Sequence, residues 1–418
     1  MPELPLRSRP EFRRGPLDDA GELRDDPSDA FIEGIRSVLP TEHEVDHQLT
    51  RKMRRRSAKA QPSATLEQMT GYLTRFLEDA RVGTFEVLDP RWFAGGASKI
   101  QMGFTLRWAP DGGPSRDTRL VVRMEPAESV NSTSRVREFE LLRGFEGIVP
   151  VPHAYWVDAE GRWFPEPALI YAFCAGVTKP SAATTGRLAG IGTNFGPEVR
   201  ARLAPQFVEF LARIHAADPS TMRLDAFTLP AVGSVESALW QLNRARRIWE
   251  EDRGADVPLM EVAASWLERN LPVLDRVSIL HGDYRSGNFL FDERSLEITA
   301  VLDWERGYLG DRHRDLAWTA NRAFGHMAED GVTFLASGLM ANDAFFATYE
   351  KLSGLGVDPV RLRYYTVLNT YQLVVSAIGS AYRVVRLGKT HQDILLASAE
   401  PVGHAALAQL RRCLEECL

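Results

Sequence analysis

Apolar residues recur at helical spacing at Leu66, Met69, Leu73, Phe76 and Leu77, which predicts a helix over 66–80. The period then changes. Segments 85–88, 100–108 and 119–124 read as strands, the last two joined by the turn-rich APDGGPSRD, a hairpin signal. A helix follows at 134–145, apolar at Val136, Phe139, Leu142 and Phe145, and strands return at 154–157 and 168–173. From 197 onward helical spacing dominates. Leu203, Phe207, Phe210, Leu211 and Ile214 mark a helix at 198–217, and others are expected at 235–253, 259–270, 341–352, 359–385 and 399–417. Short strands at 278–280, 289–291 and 300–302 lie between them. The pattern predicts an α+β chain without internal repeats, a small β-rich lobe followed by a larger helical one.

The chain before this sheet is different. Its first thirty residues are rich in Pro, Arg and Asp, and are expected to be loosely ordered. Helices are expected at 29–39, stopped by Pro40, and at 42–59. The second ends in Arg51, Lys52, Arg54, Arg55, Arg56 and Lys59 with no acid between them. This run reads first as a solvated helix end. The sharper alternative is a clamp on an anionic ligand or on the acidic body of the protein. The organisation expected is an extension over 1–80, a nucleotide-binding lobe over 81–176 and a helical lobe over 177–418.

Composition narrows the function. The 418 residues carry 50 Lys plus Arg against 56 Asp plus Glu, a net charge of −6. A mild acidic balance argues against a nucleic-acid or anionic-membrane partner. Cys174, Cys413 and Cys417 form no CxxC pair, which fits a reducing, cytoplasmic compartment. The polar N-terminus lacks the apolar core of a secretory signal, and no apolar run approaches the roughly 20 residues of a membrane span.

Three motifs attract attention and carry little. His43-Glu44-Val45-Asp46-His47 matches HExxH, but no third zinc ligand follows at a recognised spacing. Gly388-Lys389-Thr390 resembles the end of a phosphate loop, yet Arg383 stands where that loop needs glycine. Cys413 and Cys417 lie one helical turn apart and read as half-buried packing.

The informative segment is Leu280–Ala317. An apolar strand delivers His281-Gly282-Asp283 into a turn, with Asn288 five residues on. A second pair of strands delivers Asp303-Trp304-Glu305. Asp283, Asn288 and Asp303 thus place hard oxygen ligands at strand ends around one hairpin, a set that suits Mg²⁺. Such Mg²⁺ shares phosphate oxygens and implies a nucleotide. A carboxylate left over could deprotonate a substrate hydroxyl.

HGDxxxxN followed about twenty residues on by DWE resembles the aminoglycoside-phosphotransferase-like kinases, a family that includes choline kinase-type enzymes. The resemblance covers about 85–400 in matching order of elements. It implies a two-lobed protein-kinase-like fold with an extra N-terminal helical extension. By that likeness Asp283 is the catalytic base, Asn288 and Asp303 hold Mg²⁺, and His281 buttresses the loop. Asp315, in a GDxxxDLA segment, ties the loop down. Gly95, Gly96 and Ser98 match the phosphate-covering loop. Arg123 takes the place of the phosphate-pairing cation, a lysine in protein kinases, with Lys99 as an alternative contact. Its ion-pair partner is expected to be Glu138 rather than Glu140. Ala172, Phe173 and Cys174 match the hinge that offers backbone groups to a purine. His215 matches a structural histidine.

The activity this implies is Mg-assisted transfer of the γ-phosphoryl group of ATP or GTP to a hydroxyl of a small molecule. Aminoglycosides, macrolides and hydroxylated metabolites or hydroxyacyl-CoA are the acceptor candidates. The acceptor pocket is expected from 217–270 and 318–385, rich in Trp and Tyr. The alternative is a nucleotide-binding pseudokinase that serves as sensor or scaffold, for which Arg123 is the one supporting feature.

Overall fold

The computed structural model describes residues 23–58, 64–93, 99–126, 128–181, 192–388 and 400–417. The expected disordered N-terminus falls mostly outside these residues, as do Gly95, Gly96 and Ser98 of the phosphate-covering loop.

Five antiparallel strands form the first lobe: β1 Phe85–Trp92, β2 Ile100–Trp108, β3 Arg116–Met124, β4 Ala154–Asp158 and β5 Ala168–Ala172, in the order β1-β2-β3-β5-β4. Pro90 sits in β1, an edge strand, where a missing N–H costs no ladder bond. The register shifts between Leu88 and Arg91, beside Asp89 at φ 49°. Alternation along the strands gives the sheet two faces. Met102, Phe104 and Leu106 of β2 and Leu120, Val122 and Met124 of β3 share a core with Met69, Leu73, Phe76 and Leu77. The opposite face turns Arg123 and Tyr171 toward the second lobe.

The segment expected as one extension therefore splits in two. The Leu66–Asp79 helix, opened by a Thr65/Gln68 capping box, covers the sheet and belongs to its core. The Asp29–Val38 and His43–Arg55 helices instead pack on the Glu236–Asp252 helix of the second lobe, where Leu49 joins the core of Leu242 and Trp249.

That docking corrects the first reading of the basic run. Arg51 and Arg55 both pair with Glu166 of the sheet lobe. Lys52 Nζ lies 3.1 Å from Asp252 Oδ2. The buried Arg56 reaches Asp252 Oδ1 at 2.6 Å and Glu128 Oε1 at 3.0 Å. Arg54 and Arg55 are the exposed members of the run, Arg54 lying near Asp29 at 3.6 Å. The run is a clamp on acids of both lobes, while Lys59 lies outside the described residues.

The second lobe is helical, built on the Gly196–Ala216, Glu236–Asp252, Pro258–Arg269, Pro359–Val374 and Glu400–Glu415 helices. The helix expected over 359–385 is interrupted by a π-turn at Val375–Ser380. There Gly379 lies over Trp249, and Ser380 Oγ donates to Asp252 at 2.7 Å. Strands β6 Ser278–Leu280 and β9 Tyr308–Gly310 pair with each other, as do β7 Phe289–Phe291 and β8 Ile298–Val301. A three-stranded sheet over 326–341 was not legible, because its strands are two or three residues long. Among the described residues no helix is long and apolar enough to cross a membrane.

Candidate active site

Strand β6 ends at Leu280, and the chain turns sharply at Gly282, φ 78°. A Cβ there would meet the Arg306 carbonyl at 2.2 Å, so the turn requires glycine. The buried Asp315 carboxylate accepts the N–H of His281 at 2.7 Å and of Gly282 at 2.9 Å. Burial pushes the Asp315 carboxyl up, but the bonds and charges of His215 and His281 hold it below its usual value. His215 sits between Asp315 Oδ2 at 3.3 Å and the Tyr349 hydroxyl at 3.0 Å, where burial lowers its pKa.

His281 ties three segments together. Its Nε2 lies 2.8 Å from the Leu302 carbonyl, and its Nδ1 accepts the Asp283 N–H at 3.2 Å. Donation from Nε2 and acceptance at Nδ1 fix one neutral tautomer. The ring packs on Trp304, which stacks on Phe145 with centroids 4.7 Å apart. The residues just before Asp303 and those around Asp283 thus hang from one imidazole.

Asp283 Oδ1 accepts from Trp318 Nε1 at 2.6 Å and from Arg285 Nε at 3.0 Å. Among the described residues these are its hydrogen bonds, so Oδ2 remains available to a hydroxyl. Asn288 Nδ2 donates to the Asp283 carbonyl at 2.8 Å, which turns its amide oxygen to the other side. Asp303 is a non-glycine residue at φ 68°, ψ 50°. That left-handed conformation costs about 1–3 kcal/mol and is typical of ligand clamps. One amide oxygen and one carboxylate are hard donors that fit Mg²⁺.

Behind Asp303 lies a charge network. Arg123 bonds Asp303 Oδ1, reaches Glu305 Oε2 at 2.7 Å, and sets its Nε 3.5 Å from Glu138 Oε1. Arg135 bonds Glu138 and lies 3.3 Å from Glu305. Glu140 turns away to accept the Ala226 N–H at 3.0 Å. Lys99, expected as a phosphate contact, is buried against Glu125 at 3.0 Å and Glu305 at 3.2 Å. Burial alone raises the Glu305 carboxyl, but Lys99, Arg123 and Arg135 hold it well below the usual range.

The hinge needs a correction. The Ala172 N–H donates to His153 O at 2.8 Å and the Phe173 N–H to Arg119 O at 2.9 Å. Of the three residues singled out, Cys174 alone keeps an N–H that the sheet does not use. Beside it lies a cavity of about 280 Å³ lined by Asp89, Arg91, Phe93, Thr105, Arg119 and Phe173. The Arg119 guanidinium stands 3.9 Å over the Phe173 ring.

Sequence reasoning passed over Arg285, Trp318 and Glu305. Arg285 was readable, as a cation within HGDYRSGN. Trp318 was weighed only as pocket lining, and Glu305 only as a letter of DWE. HExxH is a helix start with His43 and His47 exposed, and among the described residues no cluster of three His, Cys, Asp or Glu could hold a metal.

A family model described as "Phosphotransferase enzyme family" matches residues 106–355. Mouse acyl-CoA dehydrogenase family member 10 is 26% identical over 206 residues, 49% of this chain and 18% of that protein. Human acyl-CoA dehydrogenase family member 11 is 22% identical over 334 residues, 72% of this chain and 41% of that protein. The chain thus spans well under half the length of these relatives. A Ralstonia eutropha structure provisionally assigned as an aminoglycoside phosphotransferase superposes with a TM-score of 0.58 at 19% identity, covering 82% of this chain and 98% of its own. That likeness establishes the two-lobed kinase-like fold.

Proposed function

We propose, from the premise that this chain belongs to the phosphotransferase enzyme family, that it transfers the γ-phosphoryl group of ATP or GTP to a hydroxyl of a small molecule. The observation that carries the reading is the setting of Asp283. Trp318 and Arg285 fix one carboxylate oxygen, which leaves Oδ2 for the acceptor. The carboxylate orients the hydroxyl and takes its proton as the new bond to the γ-phosphorus forms and the bond to the bridging oxygen breaks, releasing ADP or GDP. Arg285, beside it, offsets negative charge on the group in transit.

Asn288 and Asp303 would hold Mg²⁺, which when bound neutralises phosphate charge. Arg123, now paired with Asp303 and Glu305, would be the cation that meets the phosphates. The cavity by Phe93, Arg119 and Phe173 suits a purine, with Cys174 as backbone donor. Gly95, Gly96 and Ser98 would cover the phosphates. Among the acceptors, the relatives named for acyl-CoA chemistry favour hydroxyacyl-CoA over the antibiotics.

The test is Asp283→Asn. Turnover should fall by about 10²–10⁴-fold while ADP affinity, read by calorimetry, stays within a factor of about two. A variant that retains turnover removes Asp283 as base. A chain that binds nucleotide but turns over none of a broad acceptor panel is the pseudokinase.

A further inference from the structure

A second cavity, of about 30 Å³, opens between the Ser132–Ser134 turn, the Glu236–Asp252 helix and the Glu305–Tyr308 stretch after Asp303. Roughly 10–15 Å³ holds one water, so the space suits a group the size of a carboxylate. Its polar lining is unbalanced. Arg244 is only 8% exposed, and among the described residues no carboxylate or carbonyl pairs with it. Arg306 lines the cavity with its Nε and one terminal nitrogen buried and without a hydrogen-bond partner. The Tyr308 hydroxyl, on a residue 6% exposed, is likewise buried without a well-formed hydrogen bond. Arg314 stands 5.1 Å over the Tyr308 ring. Its own partners are the neutral amides of Gln241, Asn369 and Gln372, which leave its charge uncompensated.

Two carboxylates line the same cavity, and both are engaged. Glu305 is matched by Lys99, Arg123 and Arg135. Glu44 accepts from the Gln48 amide at 2.9 Å with one oxygen and sets the other 3.6 Å from His47 Nδ1, so both oxygens are taken by neighbours on its own helix. Of the guanidiniums that line the cavity, Arg137 pairs with Glu42, but Arg244 and Arg306 have no ion pair among the described residues. Such interior cations are costly, and an oxyanion is the partner that suits them. Burial and the neighbouring Arg306, Arg314 and Arg137 push Arg244 down to about 9. The cavity also lies close to the chemistry. The Arg306 guanidinium stands 4.9 Å over the Trp318 ring, whose Nε1 donates to Asp283.

We propose that this cavity is an oxyanion subsite that takes a carboxylate or phosphate group, carried on the acceptor or supplied as a free anion. The acceptor form rests on the phosphotransferase reading and names its substrate class, a hydroxylated compound bearing an acidic group. Polycationic aminoglycosides are the wrong charge for it.

The test titrates inorganic phosphate and acetate into the intact chain at constant ionic strength, with chloride as the balancing salt. Saturable binding and a rise in melting temperature are expected, weakened about tenfold or more in Arg244→Gln and less in Arg244→Lys. ADP affinity, measured on the same samples, shows that the variants fold. Equal shifts in wild type and Arg244→Gln, or no saturable binding, overturn the subsite. A second arm compares turnover of a hydroxy acid and its methyl ester. Preference for the acid, with phosphate competing against it, supports the acceptor form. Equal turnover, with phosphate stimulating both, supports the free anion. Phosphate binding that survives while neither compound turns over supports the subsite and counts against the phosphotransferase reading.

Discussion

The turn that carries Asp283 and the N-terminal clamp both bury carboxylates, and they neutralise them in opposite ways. At the turn, Asp315 is held by two main-chain N–H groups, and its partners His281 and Gly282 are neighbours in sequence. At the clamp, Asp252 is held by the side chains of Lys52 and Arg56, some two hundred residues away. Main-chain donors fix direction, which the chemistry proposed at Asp283 needs. Guanidinium pairs tolerate small displacements but join distant elements, which two lobes need. The clamp reaches Glu166 and Glu128 on the sheet side and Asp252 on the helical side. It therefore fixes the relation of the lobes, while the turn fixes the geometry within one of them.

Removing one member of the clamp gives the largest expected effect on stability. Arg56→Met leaves Asp252 and Glu128 short of a buried partner, and breaking such a pair costs about 3–5 kcal/mol. A urea midpoint well below wild type, with turnover per folded molecule little changed, is expected. A midpoint unmoved from wild type would break the distinction between the two regions.

The turn should respond the other way. Asp315→Asn keeps one acceptor oxygen but sets an amide N–H₂ against a main-chain N–H. A buried donor left unpaired costs about 1–3 kcal/mol, less than the clamp loses. Turnover should fall with little change in ADP affinity, because Asp283 follows directly on the loosened residues. Kinetics and calorimetry on one preparation separate the two outcomes.

This difference in wiring also explains what the sequence made legible. Asp283, Asn288 and Asp303 stand out because their spacing lies within one hairpin. The pairing of Arg123 with Glu138 was legible through family likeness. Glu305 was not, because its partners Lys99, Arg123 and Arg135 lie more than 160 residues before it. The basic run was visible as charge, but its acids are scattered over Glu128, Glu166 and Asp252. Helical spacing marked 66–80 correctly without showing that its apolar stripe covers the sheet. The N–H groups of Ala172 and Phe173 are spent by cross-strand partners, which no local pattern displays.

Acid and salt together give the smallest and sharpest separation of the two regions. Asp46, on the clamp helix, accepts from Arg36 at 2.9 and 2.6 Å and from Arg247 at 2.5 Å, and the bond from Arg36 leads in drawing its carboxyl down to about 2. A folded-state pKa below the unfolded value means the stabilisation is full above pH ~4 and is lost as pH falls from there toward 2. Asp315 is also lowered, so its contribution has the same sign and is also lost in acid. Salt distinguishes them. Asp46 is half-buried and its attraction to Arg36 is open to screening, whereas Asp315 is fully buried and held by main-chain donors. The stability difference between wild type and Asp46→Asn, measured by urea unfolding at pH 7, should shrink on going from low salt to about 1 M. The difference for Asp315→Asn should stay constant. Equal salt dependence at both sites would show that side-chain and main-chain neutralisation are not physically distinct here.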